Sequence, residues 1–138
     1  MKKIILGLAI LSSLAFGKWE NRELYDDFKN PIRTYSTNLS DDKKVGLIYG
    51  VRGSTIGVLV KNGLLSQKIL LKLSDGSVIP VICDRLDSGL IIFKNNHVLE
   101  DLRKEQLLYL VVSIDNDIQV VRFDNANFIQ CENNIKED

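Results

Sequence analysis

The sequence predicts an all-β domain, an antiparallel sandwich of about seven to nine short strands with one short helix near residues 98–106. Two observations carry that expectation. Apolar and polar residues alternate in short runs that recur about every eight to twelve residues, with Gly, Asn, Asp and Ser between them. In Val98 to Phe128 the apolar period changes from helical to two-residue partway along, as a helix feeding a hairpin requires.

The first 17 residues stand apart from this pattern. Lys2 and Lys3 precede an apolar run, Ile4 to Phe16, broken by Gly7 and by Ser12 and Ser13. A bilayer span needs about 20 apolar residues, so the run suits the apolar region of a signal peptide. Ala15 and Gly17 are small and two apart, which places cleavage after Gly17. The alternative, an uncleaved anchor, fits a longer run. The expected layout is therefore a signal peptide over 1–17, a sandwich domain over 18–130 and a polar C-terminal tail over 131–138.

Composition narrows the partners. The chain has 138 residues, with 18 Lys and Arg against 18 Asp and Glu. Removing residues 1–17 takes away two lysines and no acid, leaving a net charge of −2. Such a balance offers no basic field for nucleic acid and no polybasic patch for anionic lipid. Cleavage leaves no stable membrane anchor.

Taken in order, Trp19, Leu24, Tyr25 and Phe28 suit core or edge packing, and Thr34, Tyr35 and Thr37 favour a strand. Val45, Leu47, Tyr49 and Val51 alternate, Arg52 to Ser54 turns the chain, and Thr55 to Val60 returns. Asn62-Gly63 is a strong hairpin signal because both residues accept positive φ. Gly46, Gly50 and Gly57 sit in strand patterns and mark close backbone approach rather than a phosphate loop. Lys68 to Asp84 reads as a hairpin turning at Asp75-Gly76, which would put Ile69, Leu71 and Leu73 on one face with Val78, Pro80 and Ile82. Pro80 cannot donate a ladder hydrogen bond, so its strand belongs at an edge or a bulge. Asp87 to Gly89 is a turn, Leu90 to Phe93 a strand, and Asn96 a helix cap for Leu99, Leu102 and Leu107. A two-residue loop at Asp115-Asn116 would align Leu110, Val112 and Ile114 with Val121 and Phe123. The residues after Cys131 are polar and read as a mobile tail.

No catalytic, cofactor-binding or metal-ligating constellation stands out. His97 is the single histidine, with no nucleophile in sequence reach, and one histidine with two distant cysteines forms no ligand spacing. Acids occur as Asp26 with Asp27, Asp41 with Asp42, Asp84 with Asp87, and Asp115 with Asp117. Pairs of this kind serve glycoside hydrolysis or calcium, yet each falls in an expected turn, where Asp is common for backbone reasons. Cys83 and Cys131 are the only cysteines. In an oxidising compartment a bridge between them would contribute on the order of 4 kcal/mol, and the alternative is two free thiols.

Several segments in this order resemble a known family. They are Gly17-Lys18-Trp19-Glu20, Asp26-Asp27, Thr34-Tyr35-Ser36, Leu71-Lys72-Leu73-Ser74-Asp75-Gly76, Ser88-Gly89-Leu90-Ile91-Ile92-Phe93, and Val121-Arg122-Phe123-Asp124-Asn125-Ala126-Asn127-Phe128. Together they are similar to the invasion-associated locus B proteins and the related VasI proteins of type VI secretion clusters. Asn127 stands where that pattern has a glycine. The resemblance implies a periplasmic or secreted β-sandwich with no catalytic residue to transfer and no cofactor.

The function expected from these readings is a non-enzymatic periplasmic or secreted protein that contacts an unidentified protein of the cell envelope. Its place would be that of a secretion-system or host-interaction accessory. The competing expectation is a small secreted inhibitor or immunity protein against an envelope enzyme such as lysozyme, presenting Arg52-Gly53-Ser54 or Asp87-Ser88-Gly89.

Overall fold

A computed structural model describes residues 18–50, 55–94 and 97–135. For Leu24, Pro31, Ile32, Arg33 and His97 the backbone alone is described. The signal segment, the Arg52 to Ser54 turn and the Asn96 cap lie outside the described residues. The strands are β1 (Glu20–Tyr25), β2 (Pro31–Leu39), β3 (Val45–Tyr49), β4 (Ile56–Val60), β5 (Ile69–Lys72), β6 (Val78–Val81), β7 (Cys83–Asp87), β8 (Leu90–Phe93), β9 (Leu107–Ile114) and β10 (Asp117–Asp124). The helices are α1 (His97–Lys104) and α2 (Phe128–Ile135).

These elements form the predicted all-β sandwich from two antiparallel sheets. One has the order β1-β2-β3-β4-β8-β7 and the other β10-β9-β5-β6. The core between them is the set of inward alternate residues: Val45, Leu47 and Tyr49 of β3, Val58 of β4, Leu71 of β5, Leu110 of β9, and Val121 and Phe123 of β10. Fully burying one such side chain contributes roughly 1.5–3 kcal/mol. Gly57 allows β4 to lie close to its neighbours, since a Cβ there would sit 2.9 Å from Ile92 Cδ1 and 3.0 Å from Ile48 Cγ2.

The β9–β10 hairpin has the two-residue loop expected, with Asp115 and Asn116 at φ 53° and 67°. Leu110 therefore faces Val121, and Leu108 faces Phe123. The β5–β6 hairpin differs from expectation. Leu73 N–H donates to Ser77 O at 2.9 Å, so Ser74 joins Asp75 and Gly76 in a three-residue loop, with Gly76 at φ 91°. One extra loop residue flips the returning strand: Ile69 pairs with Val81 and Leu71 with Ile79, while Val78, Pro80 and Ile82 face outward. Pro80 lies on an edge strand, as its missing N–H demands.

The Asn62-Gly63 signal does not close a hairpin. After β4 the chain crosses to the other sheet, where Leu65 forms a bridge with Ile114 and Leu64 N–H donates to Asp115 Oδ1 at 2.9 Å. At Ile82 it crosses back, ending β6 and starting β7. This switch, together with the polar strand β1, brings the strands among the described residues to ten, against the about seven to nine expected.

The C-terminal expectation is also corrected. Residues 128–135 form α2, and Phe128, Cys131 and Ile135 repeat at helical spacing on its buried face. Phe128 packs on Trp19 and Tyr49, with ring centroids 5.0 Å and 5.5 Å away. Glu132 accepts both a 2.9 Å bond from Arg103 Nε and a bond from the same guanidinium's second nitrogen, joining α2 to α1. Asn127 enters the helix at φ 73°, where glycine is the easiest residue and asparagine the next. Of Trp19, Tyr25 and Phe28, Trp19 alone is core; Tyr25 and Phe28 are 52% and 84% exposed.

Asn125 joins four segments at the base of this arrangement. Its Oδ1 accepts from Trp19 Nε1 at 2.6 Å, and its Nδ2 donates to Leu102 O at 2.5 Å and Glu105 O at 2.8 Å. Its own N–H donates to Gln106 O at 2.9 Å. Replacing Asn125 by Ala strands the buried indole N–H and two carbonyls, so Asn125→Ala should lower unfolding stability by about 3 kcal/mol in urea titration. A loss within experimental error would remove Asn125 from this role.

Candidate functional site

Most acids named from the sequence are turn acceptors. Asp26 Oδ1 accepts from Asn30 N–H and Phe28 N–H, both at 2.9 Å, and the Asn30 bond, the larger effect, draws the carboxyl below its usual range. Asp42 Oδ1 accepts from Ser40 Oγ at 2.6 Å and Lys44 N–H at 3.0 Å. Asp41 pairs with Arg122, Asp84 lies 3.7 Å from Lys94, and Asp87 Oδ1 accepts from Ser88 N–H at 2.8 Å. Asp115 secures the Leu64 loop, and Asp117 accepts a long bond from Gln119. Among the described residues no three His, Cys, Asp or Glu side chains converge as a metal site would require.

The thiols of Cys83 and Cys131 are both free and buried, so the bridge left open by the sequence is not formed. Their strands explain it. Cys83 lies on β7, one edge of the six-stranded sheet, while the Cys131 carbonyl accepts from Asn21 on β1, the opposite edge. Burial, with a smaller push from Asp84, raises the Cys83 thiol to about 11. Burial also raises Cys131, with a Ser36 hydrogen bond opposing it. Thiols held protonated are poor nucleophiles and poor ligands at neutral pH.

Two surfaces have the makings of a contact site. One is the outward face of the four-stranded sheet. There Val120 lies opposite Val111, Val111 opposite Leu70, and Leu70 opposite Pro80, one apolar line across four strands. Ile118, Val78 and Ile82 widen it, and Ile118 and Val120 are 74% and 63% exposed. A line of four strands spans roughly 15 Å between its outer strand axes. Lys72 and Tyr109 occupy the adjacent row. Contiguous apolar surface of this kind commonly marks a contact site on a folded monomer.

The other surface runs along β1. A cleft of about 280 Å³ lies between the start of β1 and α2, lined by Lys18, Asn21, Asn127, Gln130 and Asn134. A second cleft of about 520 Å³ continues along the strand past Arg22, Glu23, Tyr25 and Tyr35. Sequence reasoning missed this surface because β1 is charged and α2 polar. The signal that could have found α2 was the Phe128, Cys131, Ile135 spacing.

The raised Cys83 value has a pH consequence. The folded chain holds this proton more tightly than an unfolded thiol, whose ordinary value is 9.0. Its stabilising effect is complete below 9.0 and is lost as pH rises toward 11. Urea midpoints should therefore fall across that interval, and the fall should be shallower in Cys83→Ala. Equal slopes in the two proteins would contradict the assignment.

Comparison with known proteins adds the fold relationship. No family model matches the chain, and no curated protein matches it. Among solved structures it is similar to invasion associated protein B from Bartonella henselae, with 15% identity and a TM-score of 0.56 over 88% of this chain and 92% of that one. At that identity the likeness establishes a shared sandwich fold.

Proposed function

We propose that this chain is an exported, non-enzymatic accessory protein that acts by contacting another protein through the outward face of its four-stranded sheet. The observation that carries this reading is the line Val120, Val111, Leu70 and Pro80, apolar side chains set against solvent where an isolated domain would carry polar ones. The fold shared with a protein named for invasion, and the signal-like residues 1–17, support an envelope or host-facing place of action.

A photo-crosslinking residue at Val120, introduced in the producing cell, should yield an adduct with a second polypeptide. Adding Leu70→Asp should cut that adduct by about tenfold while the folded chain is retained, since Leu70 is exposed. An adduct indifferent to Leu70→Asp would remove the face from the reading. Export has its own check: a C-terminally tagged copy should be recovered outside the cytoplasm beginning at Lys18, and retention at full length inside would contradict it.

The inhibitor reading draws on one further observation. The Ser88-Gly89 turn is held rigid, with Leu65 N–H donating to Ser88 O and Val60 N–H to Gly89 O, both at 2.8 Å. A rigid exposed turn is what an inhibitor presents to an active site. Purified protein should then slow a muramidase in a panel, with Ser88→Trp relieving the effect; a panel without inhibition disposes of it.

A further inference from the structure

We propose that the free edge of β1 is a strand-addition site, which takes an extended segment of a partner polypeptide as an additional strand of the six-stranded sheet. The site is distinct from the outward face of the other sheet and stands without it. Backbone direction comes first. Trp19 N–H donates to Ala126 O at 3.0 Å, away from β2, so by the two-residue period the main-chain groups of Asn21 and Glu23 also point away from β2. Among the described residues none bonds those edge groups. Ala126 O already takes the first position along this edge, beside Trp19 at the start of β1.

The other sheet edges are closed or shortened. Pro80 lies on the outer side of β6 and lacks the N–H a new strand would need. On β7, Gln67 Nε2 donates to Cys83 O at 3.2 Å and the register shifts between Arg85 and Asp87. On β10, Asp41 N–H donates to Arg122 O at 2.8 Å and Asn38 Nδ2 to Asp124 O at 2.6 Å, which leaves only Ile118 to Val120. Native sheets protect edges by such devices; β1 carries charged side chains at Arg22 and Glu23 and a register shift only at its far end, between Leu24 and Tyr25, which leaves the main-chain groups of Asn21 and Glu23 as the open stretch.

The surroundings indicate the occupant. Asn127, just before α2, and Gln130 and Asn134 of α2 set side-chain amides beside the strand's beginning. Asn134 Nδ2 already donates to Asn21 Oδ1 at 3.2 Å, and an amide's remaining groups can donate to and accept from a peptide backbone. Tyr25 and Phe28 stand exposed at its far end, where an apolar or aromatic side chain of the incoming segment would pack. Glu20 and Arg22, 3.3 Å apart, neutralise each other on the outward face, so the segment needs no net charge. Main-chain bonds would supply affinity, and the amide wall and the aromatic end would supply direction.

The test uses the full chain with a phage-displayed library of short random peptides as the probe. Enriched peptides should slow amide exchange at Asn21 and Glu23. Glu23→Pro removes an edge N–H that β2 does not use, and it should weaken these peptides by about tenfold or more, whereas Glu23→Ala and Val120→Asp should not. No enrichment, or enriched peptides that protect other amides and ignore Glu23→Pro, would overturn the proposal. A dimer that dissociates in Glu23→Pro would assign the edge to a second copy and likewise overturn it. Should Glu23→Pro fail to fold, the exchange pattern on the unaltered chain decides alone.

Discussion

The hydrogen bonds of Asn125 are the constraint on which the arrangement around them rests. A buried amide without partners costs more than it contributes, so this side chain is tolerated only where the indole of Trp19 and the carbonyls of Leu102 and Glu105 meet it together. That requirement joins the strand that opens the domain to the end of α1 and to the turn before α2. Trp19 N–H and Ala126 O complete the junction. With Trp19 held, Phe128 has a ring to pack on, and α2 can lie beside β1 and β2. An apolar residue at position 125 would fill the space without naming which segments belong there.

The two sheets use their outward faces differently. In the middle of the six-stranded sheet Thr37, Ile48 and Leu59 are buried although they point away from the inter-sheet core, and Gly57 lets Ile48 and Ile92 lean together. The four-stranded sheet instead keeps valine, leucine and isoleucine in solvent. An antiparallel sheet with one wet face ordinarily alternates apolar inward and polar outward, and β10 breaks that rule at Ile118 and Val120. Real proteins concentrate such departures from local consistency at functional or strained sites, which is what makes this face the basis of the proposed contact.

Several elements were legible in the residues and several were not, for identifiable reasons. The β9–β10 hairpin was read correctly because Asp115 and Asn116 both tolerate positive φ, which fixed the loop length and hence the faces. The β5–β6 faces were read inverted because the same logic was applied to Asp75-Gly76, while Ser74 also entered the turn, fastened by its N–H and hydroxyl to Glu105 Oε1 at 2.8 Å and 2.6 Å. That contact comes from 31 positions away and has no local signature. β1 escaped notice because Glu20, Asn21, Arg22 and Glu23 carry no strand-like pattern; pairing with β2 makes them a strand.

By itself the sequence determined what short-range physics decides: the all-β class, the helix before β9, the two-residue turn of the last hairpin, the edge position of Pro80 and the glycine at the close approach of β4. These follow from dihedral preferences and side-chain periodicity, which act over a few residues. Tertiary structure alone decided which strands share a sheet, that β6 and β7 part at Ile82, that Cys83 and Cys131 lie on opposite edges, and that the C-terminal residues fold back as a helix under Trp19. Each of these depends on contacts between residues far apart in the chain, and their free energy appears only when the two sheets close on one core. The open edge of β1 belongs to that second group, since a strand has a free side only after its neighbours have been assigned.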